Sequence, residues 1–167
     1  LDIHRIAHRL GMRSNVTMLY GHIETDEERV DHMLRARALQ DETGGFQAFI
    51  PLAFHPDNNQ MRKLPAPTAA DTLRVHAVSR LMLDNIPHVK AFWVMIGAGL
   101  AQVGLHYGAN DLDGTITDGG ELTHSYSVES NNEVKMTKQK IIEMIHRAGF
   151  EAVERDTVYN RVENIAV

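Results

Sequence analysis

Asn15-Val16-Thr17-Met18-Leu19-Tyr20-Gly21-His22-Ile23-Glu24 opens as a strand and closes as a turn rich in polar groups. Val16 to Tyr20 are apolar or β-favouring, as a buried strand requires. The residues that follow, Thr25-Asp26-Glu27-Glu28, match a capping box in which Thr25 and Glu28 each satisfy an end amide of a helix. The acidic first turn also suits the positive end of the helix dipole. A strand leading straight into a helix is one βα unit, and the pattern repeats. Phe46 to Phe54 reads as a second strand ending at His55-Pro56, Val89 to Met95 as a third, and Asp111 to Ile116 as a fourth. Helices between them imply parallel pairing with right-handed crossovers.

The fold class expected is therefore α/β: about four βα units with parallel strands, half of an eight-stranded (βα)8 TIM-type barrel, in one domain over residues 1–167. A half barrel leaves two sheet edges and one core face open. A partner is expected to cover them, either a missing amino-terminal half or a second copy of the chain. Barrel active sites gather at the carboxyl ends of the strands, so the polar residues at those ends are the candidates for function.

The helices follow from apolar spacing and end signals. Ile3, Ile6, Ala7 and Leu10 give the inward stripe of a first helix closed by Gly11. Val30, Met33, Leu34, Arg37 and Ala38 give that of the second, with Arg37 snorkelling and Gly44-Gly45 ending it. Residues 55–67, with three prolines, form a binding loop. Helices are expected from Thr68 to about Asp84, from Leu100 to Tyr107, and from Thr137 to Ala148. Residues 117–135 read as a mobile loop and Phe150 to Arg155 as a final strand or extended tail.

The 167 residues include 43% hydrophobic and 23% charged side chains, ordinary for a globular domain with a real core. A net charge of -5 argues against a nonspecific nucleic-acid binder. No apolar run approaches the roughly 18 residues of a membrane span. No secretory leader is evident, and a cytoplasmic location is expected. The start at Leu1, inside what reads as a helix, points to a fragment. With no cysteine, the chain has neither disulfides nor thiolate metal ligands, but its ten histidines keep imidazole chemistry open.

Gly21 at a strand end allows a positive φ or a ligand close to the backbone, and Glu24 can accept from a ligand hydroxyl or amine. His22 and His55 lie past two different strand ends, where they can bind a metal, act as a base, or orient a carboxylate. The other histidines fall on helices or turns, where exposure is the default. Trp93 and Met95 alternate along the third strand and so share a side; Asp111 and Asp113 share one too. Asn58 and Arg62 in the long loop can meet an anion. One alternative is a metal hydrolase using His22, His55 and Asp113. A half barrel that binds a small molecule without chemistry is another.

Asn15 to Glu24, with 41–56 (Asp-Glu-Thr-Gly-Gly-Phe-Gln-Ala-Phe-Ile-Pro-Leu-Ala-Phe-His-Pro), 80–88, 108–115 and 153–157, resembles the radical S-adenosylmethionine enzymes of the futalosine route to menaquinone. Pro51-Leu52-Ala53-Phe54-His55-Pro56 and Asp113-Gly114-Thr115 are most like the aminofutalosine synthases. Cyclic dehypoxanthine futalosine synthases and deazaflavin-synthesis enzymes share much of the pattern. The resemblance covers nearly the whole chain and implies the C-terminal half of the barrel. It implies S-adenosylmethionine and a 4Fe-4S cluster as cofactors of the intact enzyme, whose cluster cysteines this chain lacks. The reaction implied is addition of a 5′-deoxyadenosyl radical to 3-[(1-carboxyvinyl)oxy]benzoate to form aminofutalosine, with this half inactive alone. Thr17, Gly21 and Glu24 fall on a strand motif near the adenosyl group, Thr17 standing where the family has glycine. His22, His55, Asn58 and Trp93 are then the substrate-binding candidates.

Overall fold

A computed structural model describes residues 1–57, 60–114 and 136–162. Asn58 and the loop assigned to 117–135 lie outside the described residues. The elements are α1 (Asp2–Arg9), β1 (Ser14–Tyr20), α2 (Asp26–Thr43), β2 (Phe46–Ala53), α3 (Ala69–Met82) and β3 (His88–Ala91). Next come α4 (Trp93–Ile96), α5 (Ala98–Gly104), a 3-10 turn (Leu105–Tyr107), β4 (Asp111–Leu112) and α6 (Lys138–Arg147). The sheet runs β1-β2-β3-β4 with every pair parallel, so the half-barrel architecture expected from the βα repeat is the one observed.

Register sorts the two faces of the sheet. Val16, Met18 and Tyr20 pair with Phe49, Pro51 and Ala53, and neighbours across a sheet point the same way. All six are buried, packed with Met33, Ala36, Leu39, Val75, Leu83 and Ile86 from the helix side. Asn15, Thr17 and Leu19 take the opposite face and are exposed. His88 joins that face through Ala48, and Lys90 pairs with Asp111 on it. In a closed barrel this face is the interior.

The capping box expected at Thr25 forms, and a second one stands at the start of the helix expected from Thr68. Thr25 and Glu28 exchange side-chain to backbone bonds at the start of α2, and Thr68 and Asp71 do so at α3. The inward stripes differ from those read from spacing. On α1, Ile3, Ile6 and Leu10 point outward, at 84, 59 and 72% exposure, whereas His8 is buried. His4 and His8 set their rings edge-on to Phe46, at 5.2 and 4.8 Å between centroids. A side chain on Gly45 would stand 2.1 Å from the His8 ring, so the missing side chain there makes the room.

Hydrogen-bond accounting fixes the His8 tautomer. Thr43 Oγ1 donates to the Leu39 carbonyl at 2.8 Å, so it accepts from His8 Nδ1–H at 2.6 Å. Neutral His8 then accepts at Nε2 from the Ser14 hydroxyl, 2.8 Å away. Satisfied polar atoms let a histidine face do the work of an apolar stripe. His76, expected to be exposed, is fully buried too, with a hydrogen-bond partner among the described residues at Nδ1 alone, 2.8 Å from the Thr72 carbonyl.

On α2 the inward residues are Met33, Ala36, Leu39 and Gln40, while Val30, Leu34 and Ala38 face outward. Gln40 tolerates burial because its amide bridges Phe46 N, Phe46 O and Asn85 O. The third strand stops at Ala91, and Trp93 to Ile96 form a helical turn. Trp93 and Met95 therefore do not share a strand face. The apolar run Ala91 to Ile96 fits a buried strand or a buried helical turn equally well.

Candidate functional site

The carboxyl ends of the strands bring together three clusters. At the end of β1, Gly21 has φ +88°, a left-handed value that favours glycine. A Cβ here would lie 2.7 Å from the Pro67 ring, so the close approach that this glycine permits is made by the chain itself. Glu24 folds back on the same turn and accepts from the amides of Gly21 and His22. Arg29, one turn into α2, donates to it from Nε at 2.7 Å. His22 Nδ1 is 3.2 Å from Glu24 Oε2.

This environment sets the charge of Glu24. Burial works against its ionisation, but the amides of Gly21, His22 and Glu24 and the Arg29 guanidinium outweigh burial and hold the carboxyl at about 2, against an ordinary 4.5. A carboxyl depressed in the folded state adds stability that is complete above about pH 4.5 and is lost as the pH falls toward 2. Glu24→Gln is expected to flatten acid unfolding across that window, followed by the fluorescence of the single tryptophan. An unchanged acid limb would show that the turn does not depend on this charge.

At the end of β2, His55 Nε2 lies 3.0 Å from the Met95 carbonyl, tying this strand to α4. The preceding Phe54 sets its ring edge-on to His22, 6.0 Å between centroids, and links the first two strand ends. At the ends of β3 and β4, Trp93 is buried and its indole Nε1 donates to the Asp113 carbonyl at 3.3 Å. Lys90 Nζ is 2.6 Å from Asp113 Oδ1 and 3.6 Å from Asp111 Oδ2.

Below Lys90, Asp111 anchors the tail. Arg155 donates to both its oxygens, at 2.7 and 2.9 Å, and the Tyr159 hydroxyl adds a third bond at 2.9 Å. Tyr159 stacks on His88 at 4.3 Å and lies under the Arg155 guanidinium at 3.9 Å. It takes φ +66°, a strained value for a side chain of this size, and these contacts hold it there. Phe150 to Arg155 carry no helix, and Arg155 bridges Arg161 in antiparallel fashion; between them a turn closes the floor of the inner face, with Asp156 accepting from the amides of Val158 and Asn160.

Of the residues singled out from sequence, Gly21, His22 and Glu24 form one cluster, and His55 and Trp93 sit at the neighbouring strand ends. Thr17 is exposed on the inner face of β1. Arg62 is exposed in the long loop. Among the described residues no three His, Cys, Asp or Glu side chains gather as metal ligands. His22 instead lies against Glu24, and Asp113 pairs with Lys90. Lys90, Arg155 and Tyr159 are not among the site candidates read from the sequence, although a lysine between Val89 and Ala91 in an apolar strand is itself a signal.

Much of the distinctive sequence proves to be framework. Arg80 donates to the carbonyls of Gly108 and Ile86 and to Asn110 Oδ1, which also accepts from the Val89 amide. Asn85 bonds the Arg37 carbonyl and Asp41. Together they lock the loops at the amino ends of the strands. Among the described residues no helix is long and apolar enough to cross a membrane.

A family model described as CofH/MqnC C-terminal region matches residues 43–166. The aminodeoxyfutalosine synthase of Thermus thermophilus is 50% identical over 166 residues, covering 97% of this chain and 44% of that protein. The aminodeoxyfutalosine synthase of Streptomyces coelicolor is 46% identical over 167 residues, covering 94% and 43%. A 5-amino-6-(D-ribitylamino)uracil–L-tyrosine 4-hydroxyphenyl transferase of Methanothermobacter thermautotrophicus is 39% identical over 170 residues, covering 99% and 46%. The chain spans less than half the length of these curated relatives.

Proposed function

Because the chain belongs to the CofH/MqnC C-terminal region family, we propose that it forms the carboxyl-terminal half of a radical S-adenosylmethionine barrel that makes aminofutalosine from 3-[(1-carboxyvinyl)oxy]benzoate. The observation that carries this reading is the open inner face of the four-stranded parallel sheet, with its polar clusters at the strand ends. The higher identity to the aminodeoxyfutalosine synthases than to the transferase favours this substrate.

An amino-terminal half would cover the inner face, the free edge of β1 and the outward stripe of α1, where Leu19, Ile23, Ile3, Ile6 and Leu10 are exposed. It would also bring the iron–sulfur ligands, since this chain has no cysteine to hold a cluster. With that cluster and an electron from an external reductant, S-adenosylmethionine would supply a 5′-deoxyadenosyl radical, and this chain's part would be position and dryness.

Thr17 and Gly21 would border the adenosyl group. Glu24, filled by its own turn and Arg29, would hold that border in shape. His22, His55 and Asn58 would meet polar groups of the substrate, with Trp93 behind them as a wall. The test is the full-length protein, reconstituted anaerobically with iron and sulfide and given reductant, S-adenosylmethionine and the benzoate. Aminofutalosine detected by mass spectrometry is the expected product. Turnover of L-tyrosine with 5-amino-6-(D-ribitylamino)uracil instead would overturn the assignment in favour of the sister activity.

A further inference from the structure

We propose that Lys90 is the residue that fixes a carboxylate of the substrate, with Asp113 holding its ammonium in place until the substrate arrives; this rests on the reading of the inner face as a substrate chamber. Val89 and Ala91 on either side of it are fully buried against the helices. Alternation therefore sends Lys90 to the inner face, where its side chain is 9% exposed. A buried ammonium keeps its charge only beside an anion. Two carboxylates are within reach, and they are not equivalent.

Asp111 is committed to the floor. It takes three bonds from Arg155 and Tyr159, and its side chain is 7% exposed. Asp113 stands one residue past the last of β4, toward the mouth, and its side chain is 23% exposed. Among the described side chains, Lys90 is its hydrogen-bond donor. The ammonium leans toward the mouth onto the less firmly held partner, 2.6 Å from Asp113 against 3.6 Å from Asp111.

A carboxylate entering from the mouth can take the place of Asp113 at Nζ without disturbing the Arg155–Asp111 pair. The released Asp113, already partly exposed, turns to water or accepts a hydroxyl or amine of the ligand. A flexible stem carrying three donors suits such an exchange better than a planar guanidinium does. The ligand class that fits is a small aromatic or amino-acid-like carboxylate.

The experiment measures equilibrium binding to the reconstituted full-length protein. The probes are 3-[(1-carboxyvinyl)oxy]benzoate and its two monoamides, each lacking one carboxylate. Lys90→Met is expected to weaken the dicarboxylate about 10- to 100-fold, the scale of a hydrogen bond to a charged group. One monoamide should bind the wild type and Lys90→Met alike, because it lacks the group that Lys90 holds. The Lys90→Met/Asp113→Asn double variant removes both charges together and should match the single variant in affinity while keeping the wild-type melting temperature.

Equal loss for the dicarboxylate and both monoamides would make Lys90 a structural residue and overturn the proposal. So would dicarboxylate affinity unchanged by Lys90→Met. Absence of any wild-type affinity for the dicarboxylate would overturn both the proposal and the assigned substrate, which sets that failure apart from the other two.

Discussion

Asp111→Ala is expected to cost the fold about 3–5 kcal/mol, the range for breaking a buried ion pair by removing one partner. Asp111 is 9% exposed and holds two cations at once: Arg155 through two bonds, and Lys90 at longer range. Its loss takes from Arg155 the carboxylate it is hydrogen-bonded to among the described residues, removes the partner of the Tyr159 hydroxyl, and shifts all of Lys90 onto Asp113. The strained backbone of Tyr159 is then held only by the His88 stack and the Arg155 contact, without the hydroxyl's anchor. Urea titration of the wild type and the variant gives the difference. A shift below about 1 kcal/mol would place this network with exposed ion pairs, whose contribution is that small. Asp111→Asn should fall between the two, since the amide still accepts from Arg155 without carrying charge.

Phe49→Ala is expected to cost a similar amount, about 3–5 kcal/mol, for a different reason. Phe49 is fully buried on the helix side of β2, in the cluster that includes Val16, Met33 and Val89. Truncation forfeits its transfer from water and leaves a cavity that the sheet and helices close only in part. Phe49→Leu fills most of that space and should cost much less. If the two variants unfold at the same denaturant concentration, the site relaxes freely and packing here is loose.

The two networks show what could be read from residues alone. The βα repeat, both capping boxes and the turn from Gly21 to Glu24 follow from local rules that the chain obeys. The stripe of α1 did not, because spacing rules rank Ile3, Ile6 and Leu10 above histidine. His8 overturns that ranking by satisfying both ring nitrogens through Ser14 and Thr43. Ser14 stands 6 residues away, but Thr43 stands 35 away in the chain, beyond any local window.

The end of β3 was hidden for another reason. Ala91-Phe92-Trp93-Val94-Met95 is apolar throughout, and the turn is set by packing around Trp93 and the reach of its indole to the Asp113 carbonyl. The Lys90 cluster draws on β3, β4 and a tail more than forty residues further on. Asp111 and Asp113 were legible as neighbours on one face, but the cations that divide them into floor and mouth were not.

Gly21 and Pro67 occupy a space that holds one side chain, not two. The pair is bound to drift together: lineages that keep the proline must keep the glycine. Only those that first trade the ring for something smaller gain any freedom at position 21, and even they inherit a backbone angle that disfavours a side chain. A substitution at one of the two without the other marks a line in which this corner of the mouth has been rebuilt.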